Sequence, residues 1–156
     1  MAPAIRYLDT SFLTPLFVPE ATSGPIAEYL KSTADGTLAT GHWTRVEFCS
    51  VLARHRRMNL LTGQQSDDAE AMFERMLSRL FIVLPTDVAD YEAAMGLLRT
   101  RSTSLRAADA LHLAIARNHR VAAILTLDKT LIHEGRRLGL DIGPGIELEG
   151  YDGLQS

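Results

Sequence analysis

Four carboxylates stand where this chain could do chemistry. Asp9 directly follows the short β-prone run Ile5–Leu8, and Asp128 directly follows the apolar run Val121–Leu127. Glu47 falls in the first turns of a helix expected after the run Thr37–Thr40. Asp109 lies inside a helical stretch whose neighbours Ala107, Ala108, Ala110, Leu111, Leu113, Ala114 and Ile115 are apolar. A carboxylate there is not fully hydrated, and a buried charge is costly unless it is paired or binds a metal. Carboxylates brought together repel each other and resist ionisation. A divalent cation removes that conflict, and an all-oxygen ligand set suits Mg2+ or Mn2+. Such an ion can activate water and stabilise charge on a phosphoryl oxygen. The chemistry indicated is metal-assisted hydrolysis of a phosphodiester.

Each acid also admits a structural role. Asp9 and Asp128 can cap the helices after them, since Asp is a preferred N-cap. Glu47 can pair with Arg45 or Arg54, and Asp109 with Arg106 or His112. Three of the four nevertheless map independently to one edge of a sheet, which favours a shared site. His112 is read as packing or hydrogen bonding to a neighbour, with a metal role as the alternative. Cys49 is expected in the core, Trp43 as a packing anchor, and His55 at the surface or facing RNA. Other acid-based sites fit less well. Ser11 stands where a haloacid-dehalogenase-type phosphatase needs a second Asp, and a phospho-receiver site would need an acidic pair beside Asp9. No phosphate-binding glycine loop occurs.

The elements that must position these residues follow from periodicity. At 156 residues, with 46% hydrophobic and 22% charged, the chain is expected to be one ordinary globular domain. A helix is expected to start near Ser11 and another near Ser23–Pro25. Trp43 to about Arg57 reads as a helix. Thr62-x-x-Gln65 is a capping box, and Ala69, Met72, Phe73, Met76, Leu77 and Leu80 after it repeat at helical spacing. Phe81–Leu84 reads as a strand, followed by a helix capped by Thr86 and a further helix over 106–119. Val121–Leu127 reads as a central parallel strand, followed by a helix to about Leu138 and a last strand near Leu140–Ile142. This predicts the α/β class, a three-layer α/β/α sandwich around a central, mostly parallel sheet of four to five strands. Ligands of such sheets sit outside the carboxyl ends of the strands. The domain is expected over 1–143, with an acidic C-terminal extension over 144–156.

Composition bounds the setting. No apolar run approaches the ~20 residues of a membrane span, and the N-terminus does not resemble a signal peptide. The single cysteine excludes an internal disulfide and a polythiolate zinc site. A cytoplasmic location is therefore expected. The net charge of −3 does not by itself announce a nucleic-acid binder. Arginines nevertheless concentrate around Glu47 and Asp109, and Arg45, Arg54 and Arg106 are the candidate RNA contacts.

Four segments resemble PIN-domain nucleases. Tyr7-Leu8-Asp9-Thr10-Ser11 is similar to their opening motif. Thr44-Arg45-Val46-Glu47-Phe48 with Val51-Leu52-Ala53-Arg54 resembles the segment that carries their Glu. Leu105–Ala114 is close to the form seen in VapC-type toxins, and Leu125-Thr126-Leu127-Asp128-Lys129 resembles the final acidic motif. The resemblance spans about residues 4–143. It implies an Mg2+- or Mn2+-dependent endoribonuclease that cleaves RNA with a metal-activated water. The acidic quartet, catalytic and metal-binding, carries over to Asp9, Glu47, Asp109 and Asp128, with Thr10, Ser11 and Thr126 in support. The resemblance further implies a toxin with a cognate VapB-like antitoxin, DNA contact only through that antitoxin, and a homodimer. The alternatives are a housekeeping PIN nuclease on structured RNA or DNA, and a non-catalytic PIN-like binding scaffold.

Overall fold

A computed structural model describes residues 2–151, and Met1 and 152–156 lie outside it. Five strands form one sheet in the order β3-β2-β1-β4-β5, every pair parallel. The strands are β1 (Arg6–Leu8), β2 (Leu38–Gly41), β3 (Phe81–Leu84), β4 (Ala123–Leu125) and β5 (Ile142–Gly143). Between them run α1 (Thr10–Leu13), a 3-10 turn (Thr14–Leu16), α2 (Ser23–Lys31), α3 (His42–Arg57), α4 (Gly63–Leu80), α5 (Val88–Leu98), α6 (Ala107–Asn118) and α7 (Lys129–Arg137).

Alternation along β1 and β4 divides the core in two. Tyr7 and its register partner Ile124 face a cluster with Leu97, Leu111, Leu113, Ile115, Leu131 and Ile132, contributed by α5, α6 and α7. Leu8 and its partner Leu125 face the opposite cluster with Phe12, Ile26, Phe48, Leu52, Phe73 and Leu77, contributed by α1 to α4. Phe48 and Phe73 stack at 4.1 Å between ring centroids, and Phe17 meets both edge-on at 5.5 Å. The result is the expected three-layer arrangement.

Local chemistry sets the helix starts. Thr62 Oγ1 accepts from the Gln65 N–H at 3.1 Å while Gln65 Oε1 accepts from the Thr62 N–H at 2.8 Å, the expected capping box. At α5 the cap is Asp87 rather than Thr86. Asp87 Oδ1 accepts from the Ala89 N–H at 2.9 Å, and Asp90 Oδ2 returns the bond to the Asp87 N–H at 3.0 Å. Asp90 is buried and also accepts from Asn118 Nδ2 at 2.8 Å, tying α5 to α6.

The apolar run 121–127 contributes only three strand residues. Its start is diverted because the Val121 N–H bonds back to the Ala116 carbonyl at the end of α6. Its end is diverted because the Leu127 N–H donates to Ser11 Oγ at 2.9 Å. The last strand falls at Ile142–Gly143, slightly later than expected. Cys49 is exposed rather than in the core, because it lies on the outer side of α3, 3.6 Å from Glu70 Oε1. Part of the expected acidic extension packs on the domain: Ile146 joins the Leu125 cluster and Tyr151 O–H donates to the Leu127 carbonyl. Residues 152–156 of that extension lie outside the described residues. No helix among the described residues is long and apolar enough to cross a membrane.

Candidate active site

The strand order reverses between β1 and β4, and the chain leaves both strands at the same edge of the sheet. A crevice forms at such a switch point. Here it is a cleft of about 650 Å³ lined by Asp9, Thr10, Ser11, Glu47, His112 and Asp128, with Arg54, His55 and Arg106 among the other lining residues.

Asp9 is 4% exposed and lies at the floor. Its carboxylate accepts three hydrogen bonds. Ser11 Oγ donates to Oδ1 at 2.8 Å, the Phe12 N–H to Oδ1 at 3.1 Å, and Thr126 Oγ1 to Oδ2 at 2.7 Å. Asp9 therefore caps α1 and faces the cleft at once. Burial pushes its proton affinity above the usual carboxylate value, against the opposing pull of His112, Thr126 and Ser11. Thr126 Oγ1 in turn accepts from the Asp128 N–H at 3.1 Å, so the loops after β1 and β4 are stitched together.

Glu47 projects from the second turn of α3. Thr10 Oγ1 donates to Glu47 Oε1 at 2.6 Å, and His112 Nε2 bonds the same oxygen. Burial raises the Glu47 carboxyl, but His112 and Thr10 outweigh it and hold the group below the usual carboxylate range. Burial likewise pulls down the His112 imidazole, and Glu47 with Asp9 and Asp109 more than reverses that pull. Asp109 lies in the first turn of α6, half-buried, where its Oδ2 accepts from the Arg106 N–H at 3.1 Å. Burial raises its proton affinity, and the negative charges of Asp128 and Glu47 add to the effect. Asp128 caps α7, its Oδ1 accepting from the Thr130 and Leu131 N–H groups at 2.8 and 3.1 Å.

Asp9, Glu47 and Asp128 line one cleft, and Asp109 stands beside it without lining it, near enough for the charges of Asp128, His112 and Glu47 to act on it. Thr10 bonds Glu47, while Ser11 and Thr126 hold Asp9. Arg54 and Arg106 line the cleft, whereas Arg45 is turned to α4, its Nε 2.8 Å from Glu74 Oε1. Trp43 packs against the α6 cluster. Sequence reasoning missed Tyr7, whose O–H lies 2.7 Å from His112 Nδ1. The signal available was a tyrosine two positions before the motif acid, on the strand Arg6–Leu8.

In type, the donors fit a hard divalent cation: four carboxylates and hydroxyls, with no thiolate among them. Among the described residues, no three acid, histidine or cysteine side chains are already drawn together as a cage.

The model of one protein family, the PIN domain, matches residues 6–135. The chain belongs to the PIN domain family. That match includes Asp9, Glu47, Asp109 and Asp128. No protein of curated function matches the chain in sequence. Among solved structures, this PIN domain is similar to Mycobacterium tuberculosis VapC20, described as a sarcin-ricin loop cleaving toxin, at 21% identity and a TM-score of 0.67, over 83% of this chain and 95% of that one. It is similar to FitAcB from Neisseria gonorrhoeae at 19% identity and a TM-score of 0.64, over 88% and 96%. It is also similar to VapBC2 from Rickettsia felis, solved on a promoter DNA fragment, at 14% identity and a TM-score of 0.61, over 88% and 96%. At these identities the shared property is the fold.

Proposed function

We propose that this PIN domain is an Mg2+- or Mn2+-dependent endoribonuclease and the toxin of a VapBC-type pair. The observation that carries the reading is that Asp9, Glu47 and Asp128, from three separate elements, line the cleft at the β1–β4 switch point, while Asp109 on α6 stands close enough to interact with the charges of Asp128 and Glu47. A binding scaffold has no need of neighbouring acids of which one is buried and three are half-buried. A divalent cation held there would supply water activation and charge neutralisation at the scissile phosphate. Asp9 and Asp109 are its primary ligands in this reading, and Glu47 and Asp128 complete the set. Asp9 is held rigid by Ser11 and Thr126, so its oxygens need little reorganisation on binding. Arg54 and Arg106 stand at the cleft to take flanking phosphates of the RNA.

The partners follow the same reading. A VapB-like antitoxin would inhibit the domain and carry any contact with DNA, and the protein would act in the cytoplasm. The homodimer has a candidate surface. Val88, Tyr91, Met95 and Leu98 form one exposed apolar stripe along α5, between 37% and 71% exposed. Asp87 and Glu92 mark its N-terminal half, and Arg99 and Arg101 follow its C-terminal end. A second copy packed antiparallel about a two-fold axis would set each acidic half against a basic end, a self-complementary arrangement.

Purified protein is expected to cut RNA into discrete fragments with Mn2+ or Mg2+, to stop in EDTA, and to leave DNA of the same sequence intact. Cleavage of the DNA with equal efficiency would favour the housekeeping alternative and contradict the toxin reading.

A further inference from the structure

We propose that His112, backed by Tyr7, is a positioning residue that fixes Glu47 in the cleft, binding one carboxylate oxygen into the fold and leaving the other for a ligand. This rests on the cation-dependent reading of the cleft. Tyr7 comes from β1 and His112 from α6, 105 positions apart, and they are 0% and 2% exposed. Their rings meet edge-on at 5.8 Å, with the phenol oxygen 2.7 Å from Nδ1. The opposite ring nitrogen bonds Glu47 Oε1, which also accepts from Thr10. A carboxylate only accepts, so Nε2 carries the proton toward Glu47, and the Tyr7 hydroxyl partners Nδ1 in either state, donating to the neutral ring and accepting from the charged one. Two donors therefore converge on Oε1, while Oε2 has no hydrogen-bond partner among the described residues.

The fold makes room for this chain of bonds. A Cβ at Gly41 would stand 3.0 Å from the Tyr7 hydroxyl, so the end of β2 carries no side chain there. A need for packing alone would be met by aliphatic residues at both positions without burying polar atoms that must each find a partner. The polar pair earns its place by reaching Glu47. Partners standing behind a metal ligand typically change metal affinity about 10- to 100-fold when removed.

The test is calorimetric titration of metal-free full-length protein with Mn2+, well below each variant's melting temperature. His112→Leu is expected to weaken Mn2+ about tenfold or more. His112→Gln, whose amide can still donate toward Glu47, should retain more affinity. Glu47→Gln should also weaken Mn2+, and the double variant His112→Leu/Glu47→Gln should be no weaker than Glu47→Gln alone, since His112 acts through Glu47. If His112→Leu does not fold, Tyr7→Phe serves in its place, with a smaller loss and the same non-additivity. Unchanged affinity in the folded His112 and Tyr7 variants beside a weakened Glu47→Gln, or losses that add in the double variant, would overturn the proposal and leave the nuclease reading standing. Mn2+ binding indifferent to both Glu47→Gln and Asp9→Asn would overturn the nuclease reading and the proposal with it.

Discussion

Asp9 is asked to stay charged at the bottom of a protein. Burial raises its proton affinity in the folded state above the ordinary value of 3.8. The folded chain therefore binds more protons than the unfolded one between those two values, and stability falls as pH rises through that window. Above it the ionised group costs stability, and below the unfolded value the cost vanishes. Asp9→Asn keeps an acceptor for Ser11 and the Phe12 N–H, and its amide can donate to Thr126. In EDTA at neutral pH this variant is expected to melt higher than the parent, by about 2–4 °C for each kcal/mol recovered. The gain should shrink as the pH approaches 4. Added Mg2+ should raise the melting temperature of the parent and not of the variant. An equal or lower melting temperature for Asp9→Asn at neutral pH would contradict this account of the buried charge. At this scale much was legible beforehand. The acids announce themselves by following strands or interrupting an apolar helix. Tyr7 and the direction of Thr10 were not legible, because both depend on which side chains from 37 and 105 residues away arrive beside them.

Helix starts show what local sequence can and cannot specify. Thr62-x-x-Gln65 closes its capping box with residues three apart, and it is found as read. At α5, Thr86 and Asp87 are adjacent candidates of the same kind, and Asp90 stands at the position that reciprocates only Asp87. Asp87→Ala is expected to cost about 0.5–2 kcal/mol in denaturant melts. Thr86→Ala should be near neutral, because the Thr86 hydroxyl is buried without a hydrogen-bond partner among the described residues. The reverse ranking would place the cap one residue earlier. Strand lengths were less legible. The run 121–127 is apolar apart from Thr126, yet its two ends are bonded to α6 and to Ser11 instead of the ladder. Cys49 shows a related limit: its helix reads as apolar around it, but the side turned to the sheet is that of Thr44, Phe48 and Leu52.

The whole molecule sets where ligands can go. Periodicity gives alternating strands and helices, and the parallel sheet follows from that alternation. The strand order does not, because it depends on the long crossover from β3 to β4 at the far side of β1. That crossover opens the β1–β4 crevice and brings Asp128 to Asp9. It also leaves α5 with an uncovered apolar stripe. Met95→Glu, at a position 46% exposed, is expected to leave the fold intact and convert a dimer to a monomer in light scattering. An unchanged mass for the variant, or a monomeric parent at micromolar concentration, would remove α5 as the interface.

In the proposed function, the cleft cuts RNA with a bound cation. The decisive assay is cleavage of total cellular RNA by the purified, antitoxin-free protein in Mn2+, beside Asp109→Asn. Discrete fragments are expected from the parent and a rate at least about a hundredfold lower from the variant, with both still folded. Equal cutting by the two proteins, or intact RNA in every lane with folded parent and Mn2+ present, would contradict it.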